Sequence, residues 1–204
     1  MSPAHVLEPT YAAIKRRLMS GAWPAGFRLE AARLADLLDV SMTPVRDSLN
    51  RLAGEHMVDF VAGEGFRVPR LGETELRNLF RLNRVLLVAP VSKVPRVYKG
   101  EDGISGDPVE HVERLFLEIA RRTANEELMT AISGINDRLH LARTHDAVIF
   151  DDFESELIAF EAALDSRKPT RALRELVLRY HDRREQEAGT FARLLAEAEI
   201  QDVA

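Results

Sequence analysis

Ser41-Met42-Thr43-Pro44-Val45-Arg46-Asp47-Ser48-Leu49-Asn50-Arg51-Leu52-Ala53-Gly54 is the stretch on which the fold turns. Val45, Ser48, Leu49 and Leu52 recur at helical spacing and share one face, whereas Thr43, Arg46, Asn50 and Asp47 fall toward the other side. The pattern predicts a helix from Pro44 to Ala53. Thr43 is a natural N-cap for it, because Pro44 behind it supplies the fixed φ suited to a first helical position. Such a helix packs its apolar face on its own domain and turns Arg46 and Asn50 outward.

Upstream, Glu30 to Leu38 reads as a helix burying Leu34, Leu37 and Leu38. Gly21, Pro24 and Gly26 form a turn cluster before it. That cluster ends a first helix from Tyr11 to Met19, with Ala12, Ile14 and Leu18 as its apolar contacts. Downstream, Met57 to Val61 and Phe66 to Pro69 read as short strands around Gly63, Glu64 and Gly65, a hairpin signal in which Gly65 permits the tight turn. Three short helices followed by a hairpin is the order of a winged helix-turn-helix. Pro69 to Gly72 reads as a linker, which puts a DNA-binding domain at 1–70 and a second domain at 71–204.

The second domain reads as helical throughout. Leu76, Phe80 and Leu86 mark one helix, ending near Pro90. Residues 88–110, with three prolines and three glycines, read as a loop. Helical stripes resume with Leu115, Ile119 and Ala120, then Leu128, Ile132, Ile135 and Leu139. Phe153, Leu157, Phe160 and Leu164 follow, then Leu173, Leu176, Val177 and Tyr180, and finally Phe191, Leu194 and Leu195. The expected fold is mainly α: a winged helix-turn-helix followed by an all-α antiparallel bundle.

Composition narrows the function classes. The chain has 204 residues and a formal charge of -5. Residues 1–70 hold nine Lys/Arg against eight Asp/Glu, so the head carries +1 and the remainder -6. Global attraction to nucleic acid is therefore slight, and binding must rely on placed arginines. The absence of cysteine excludes disulfides and thiol chemistry and suits a cytoplasmic protein. No apolar run reaches the ~20 residues of a membrane span, and no secretory signal is expected. No nucleophile–base pair or phosphate-binding loop marks an enzyme.

The head resembles the GntR family of bacterial regulators. The resemblance is carried by Met19-Ser20-Gly21 with Pro24-Ala25-Gly26 and Arg28-Leu29, by Leu34-Ala35 through Val40-Ser41, by Thr43-Pro44-Val45-Arg46 with Leu49 and Leu52, and by Gly65-Phe66 with Val68. The second domain is similar to the helical ligand-binding (FCD) domain of that family's fatty-acid-responsive branch, on Ile119-Ala120, Thr123 and Asn125 and on Tyr180-His181. The resemblance implies a regulator that binds a pseudo-palindromic operator as a homodimer, modulated by a small acidic metabolite.

Arg46 is then the candidate for a bidentate pair with a guanine edge. Thr43 and Asn50 are candidates for phosphate or base contacts, and Arg28 and Arg33 for backbone contacts. The branch often holds a divalent metal through one aspartate and three histidines. Here the corresponding positions fall on Val112, Phe116 and Leu157, and only His181 matches, so neither a metal nor another cofactor is expected. The family usually has arginine at the position of Met42 and a basic residue near the wing tip, where Glu64 stands.

His181, Arg183 and Arg184 are candidates for an effector site, with an arginine holding a carboxylate. The simpler account of this run is a solvated helix face or a dimer surface. Asp151, Asp152, Glu154 and Glu156 read most simply as an acidic helix start. Two alternatives come from other classes. One is a ligand-binding or scaffold protein whose head has lost or altered operator binding, favoured by Met42, Phe60, Val61 and Glu64. The other is a metal-dependent enzyme built on His111, His140, His145 and His181, with Asp107 and His111 as a spaced pair.

Overall fold

The computed structural model describes residues 3–91, 106–166 and 170–201. Two compact units emerge: residues up to Leu71 together with the chain end from Ala196, and Gly72–Leu195.

In the first unit, α1 (Pro3–Met19) is followed by β1 (Arg28–Leu29), α2 (Ala31–Leu38), α3 (Met42–Gly54), β2 (Asp59–Val61) and β3 (Gly65–Arg67). The three strands form one antiparallel sheet in the order β1-β3-β2. Phe66 of β3 lies opposite both Leu29 and Phe60. Ile14 and Leu18 of α1, Leu34 of α2, and Val45, Leu49 and Leu52 of α3 are buried with Leu29, Met57 and Val58 in a single core. A winged helix-turn-helix is the result.

Several boundaries differ from expectation. The helix α3 starts at Met42 with Ser41 at its N-cap, so Thr43 and Pro44 are its second and third residues. Pro44 is tolerated there because the first N–H groups of a helix have no intrahelical partner. The helix α1 extends back to Pro3 through Pro9. β1 is an additional strand, formed because Arg28 and Leu29 pair with Arg67 and Phe66. The hairpin strands are shorter than expected. Leu37 is 51% exposed, because α2 turns Leu34 and Ala35 to the core and leaves Leu37 on its flank.

The second unit is helical: α4 (Glu73–Val91), α5 (Pro108–Arg121), α6 (Glu126–Arg143), the single turn α7 (Asp146–Ile149), α8 (Phe153–Asp165), α9 (Thr170–Gln186) and the start of α10 (Ala188–Gln201). Pro108 at the first turn of α5 and Asp107 at its N-cap end the loop expected over 88–110. Residues 88–91 belong to α4, and 92–105 lie outside the described residues. Phe116, Phe160 and Tyr180, from α5, α8 and α9, meet edge to face with centroids 5.1–5.9 Å apart. Such contacts add to the burial of large rings. No helix among the described residues is long and apolar enough to cross a membrane.

Candidate nucleic-acid interface and the polar core of the helical unit

A groove of about 530 Å³ runs along the exposed side of α3, between that helix, the start of α2 and the wing. Arg46 and Asn50 reach it from α3, Arg28 and Glu30 from the approach to α2, and Phe60, Glu64 and Gly65 from the wing. Arg28, Arg46 and Asn50 are all exposed. Arg28 and Arg46 hold no ion pair among the described residues, so two free cations flank one groove. Thr43 is exposed but lies off the groove, as does Arg33, which pairs with Glu30 at 3.2 Å.

The wing owes its turn to backbone conformation. Gly65 has φ +89° and a Cβ there would meet nothing within 4 Å, so it is the left-handed backbone that requires glycine. Arg67 is committed inside the head. Its guanidinium meets Glu64 at 2.9 Å and donates to the Gly26 carbonyl at 3.2 Å.

In the helical unit His181 and Arg184 are fully buried, contrary to the simpler expectation of a solvated face, whereas Arg183 between them is part-exposed. Arg184 donates to Asp146 and to Glu156, both at 3.0 Å, with each carboxylate fully buried as well. Arg183 bonds Asp152 at 3.1 Å and Glu156 at 3.3 Å. Glu156 thus stands in the acidic first turn of α8, as expected, and is in addition a buried counter-ion. Each arginine thus meets two carboxylates, while Arg184 Nη2 has no hydrogen-bond partner among the described residues.

His181 is held by its backbone. Its Nδ1 donates to the Val177 carbonyl at 2.7 Å, and burial pushes its pKa down to about 3. The ring is thus neutral, and its buried Nε2 is a bare acceptor with no partner among the described residues. The Phe116 ring stacks on it, with centroids 5.4 Å apart. The Arg143 guanidinium lies 5.3 Å from the same ring. Arg143 is buried and bonds Asn136 through Nη1 at 2.9 Å, while its Nε and Nη2 have no hydrogen-bond partner among the described residues. Neither does the side chain of the fully buried Asn83.

The other histidines do not converge. His111 Nε2 lies 3.0 Å from Glu161, and burial lowers its pKa; His140 Nδ1 lies 3.0 Å from Glu113, a hydrogen bond that raises its pKa. Asp107 caps α5 by accepting from the Val109 N–H at 2.8 Å. At the positions where the resemblance would put metal ligands, Val112, Phe116 and Leu157 are fully buried apolar side chains. These residues do not fit a metal ion.

Comparison with known proteins places these features. Residues 8–68 match the family described as bacterial regulatory proteins, gntR family. The head belongs to the GntR family. Over 79 residues the chain is 33% identical to the HTH-type transcriptional regulator McbR of Escherichia coli, covering 39% of this chain and 36% of that one. It is 27% identical over 137 residues to the Nta operon transcriptional regulator of Aminobacter aminovorans, covering 59% and 65%. The chain thus spans less than two thirds of either relative. Among solved structures, a GntR protein from Rhodococcus sp. RHA1 superposes with a TM-score of 0.64 at 17% identity, over 89% of this chain and 96% of that one. Escherichia coli McbR/YncC superposes with a TM-score of 0.58 at 19% identity, over 92% and 99%. About nine tenths of the chain therefore shares the fold of these structures, in which the described residues form a winged head and a helical C-terminal unit.

Within the GntR head, sequence reasoning missed that Met42 shares the groove row with Arg46 and Asn50, since α3 was expected to begin after it. In the helical unit, the pairing of Arg184 with Asp146 and Glu156 and the buried donors of Arg143 were missed. The signal for Arg143 was present: it continues the stripe Ile135, Leu139 at four-residue spacing.

Proposed function

We propose that this protein is a transcription regulator that binds a pseudo-palindromic operator as a homodimer. The observation that carries this is the groove of the GntR head, where α3 turns Arg46 and Asn50 toward an unpaired Arg28. In this role α3 enters the major groove, Arg46 pairs with a guanine edge, Asn50 takes a base or phosphate, and Arg28 and the wing turn at Gly65 follow the backbone. Arg33 and Thr43, off the groove, serve at most as phosphate contacts. Two copies of the chain meet two half-sites, which doubles the sequence read. The protein acts as a regulator rather than an enzyme, in the bacterial cytoplasm.

The helical unit is the regulatory part, as in the fatty-acid-responsive branch, with a small carboxylic acid as effector. Arg143, with two unpartnered donors and only Glu113 as a carboxylate neighbour at 3.7 Å, supports a carboxylate site better than Arg183 and Arg184, each of which meets two carboxylates and of which Arg184 has one unpartnered donor, Nη2. His181 would accept a hydrogen bond from the same ligand.

The test is titration of the full chain onto DNA flanking its own gene at two salt concentrations, with Arg46→Ala alongside. Selective, salt-sensitive binding that weakens in the variant is the expected result. A folded chain with no selective DNA binding, with or without added small acids, would instead favour a scaffold protein with a repurposed head. The internal pairing of Arg67 with Glu64 and the 62% exposed Phe60 are the features that favour this second reading.

A further inference from the structure

The row that α3 turns into the groove begins one turn before Arg46, at Met42. Residues 42, 46 and 50 are four apart, the spacing that stacks side chains along one helix face, and all three line the groove. Met42 is 45% exposed, while Val45, Leu49 and Leu52 of the same helix are fully buried. The core of the head does not need the Met42 side chain. It is an apolar group set at the head of a polar row, in a groove that the exposed Phe60 of the wing also lines.

Side chains in the first turns of a helix lying in the major groove meet base edges. Among the groups that the four standard bases display there, one alone is apolar, the C5 methyl of thymine. The rest are hydrogen-bond donors and acceptors. Covering one of those with a thioether removes its water and returns no hydrogen bond. A flexible, polarisable methionine makes close contact with a methyl group at little cost in fit.

We propose that Met42 reads a thymine methyl in each half-site, one helical turn along α3 from the base met by Arg46. This rests on the operator-binding role proposed above and specifies its base preference. The division of labour is chemical: Arg46 recognises by paired hydrogen bonds, Met42 by apolar contact and by the unmet hydrogen bonds it imposes on any other edge. An arginine in its place would seek the O6 and N7 acceptors of guanine instead.

The test starts by selecting duplexes from a random library with the full chain. Each thymine of the enriched half-site is then replaced, one at a time, by deoxyuridine, which lacks only the C5 methyl. At one thymine per half-site the replacement is expected to weaken the wild type about fourfold, the value of one buried methyl group. Met42→Ala should bind the thymine duplex more weakly by a similar factor and no longer distinguish deoxyuridine. Repeat selection with Met42→Arg should bring guanine to that position. Unchanged unfolding midpoints, expected for an exposed side chain, show that the variants are folded. Equal binding of the wild type to every deoxyuridine duplex would overturn the proposal, as would a full thymine–deoxyuridine difference retained by Met42→Ala. In either case weaker binding by Arg46→Ala would leave the operator-binding role standing. Failure of the folded wild type to enrich any sequence would remove that role and this assignment with it.

Discussion

Arg184 on α9 donates through Nε to Oδ1 of Asp146 at 3.0 Å, and both side chains are wholly excluded from solvent. The same guanidinium holds Glu156 on α8 and lies 3.3 Å from the centroid of the Tyr180 ring. One arginine thus ties α7, α8 and α9 together where water cannot screen the charges. Removing it leaves the buried Asp146 without its counter-ion and the buried Glu156 with Arg183 alone. Arg184→Ala is expected to destabilise the fold by about 3–5 kcal/mol. Arg183→Ala, which loses the exposed Asp152 and one bond to Glu156 but leaves Glu156 paired with Arg184, should cost less, about 1–2 kcal/mol. Urea unfolding of the two variants measures the difference, and equal losses would contradict the assigned burial.

His181 makes stability depend on pH. Its folded pKa of about 3 lies below the ordinary value of 6.5, with burial as the main cause. The unfolded chain therefore binds a proton between these values that the native ring refuses. The contribution is fully present above pH 6.5 and is lost as the pH falls toward 3, at up to ~1.4 kcal/mol per pH unit. His140 works in the opposite sense, since Glu113 raises its pKa. The discriminating quantity is thus the difference between wild type and His181→Gln. Unfolding free energies across the acid range should show a shallower fall in the variant; parallel curves would exclude His181 as the titrating group.

Arg46→Ala is expected to weaken operator binding by about 1–3 kcal/mol and to relax preference at one position per half-site. Arg28→Ala should instead weaken all duplexes alike and lower the salt dependence by about one released counterion. Binding isotherms at several salt concentrations separate the two. If Arg46→Ala weakened specific and nonspecific duplexes equally, Arg46 would be a phosphate contact.

Glu64 holds the Arg67 guanidinium in an exposed ion pair at the wing. Glu64→Gln removes the charge at 2.9 Å from that guanidinium, and with it a repulsion toward phosphate. DNA affinity should rise and the salt dependence steepen, while stability changes by less than ~1 kcal/mol because the pair is exposed. An unchanged salt dependence would show that the wing does not approach the backbone.

The head was largely legible because its signals are local. The apolar face of α3 and the glycine-rich wing turn are written within single turns of chain. β1 was not legible, since two residues have no periodicity and become a strand only by pairing with Arg67 and Phe66 some forty positions on. The N-cap of α3 was misassigned because Pro44 fits more than one first-turn position.

By itself the sequence determined the winged head followed by helices, the apolar face of α3 and Arg46 as an outward cation, because periodicity and turn chemistry act over a few residues. It also carried a hint of buried polarity: Asn83 stands among Leu76, Phe80 and Leu87, and Arg184 follows Val177 and Tyr180, all at core spacing. Only the tertiary structure decided that these charges are interior and which carboxylates meet them. Asp146 and Glu156 lie 38 and 28 positions before Arg184. A charge on an apolar stripe either reaches solvent at the edge or finds a counter-ion within it. That choice belongs to the packing of whole helices, as does the groove in which Met42 joins Arg46.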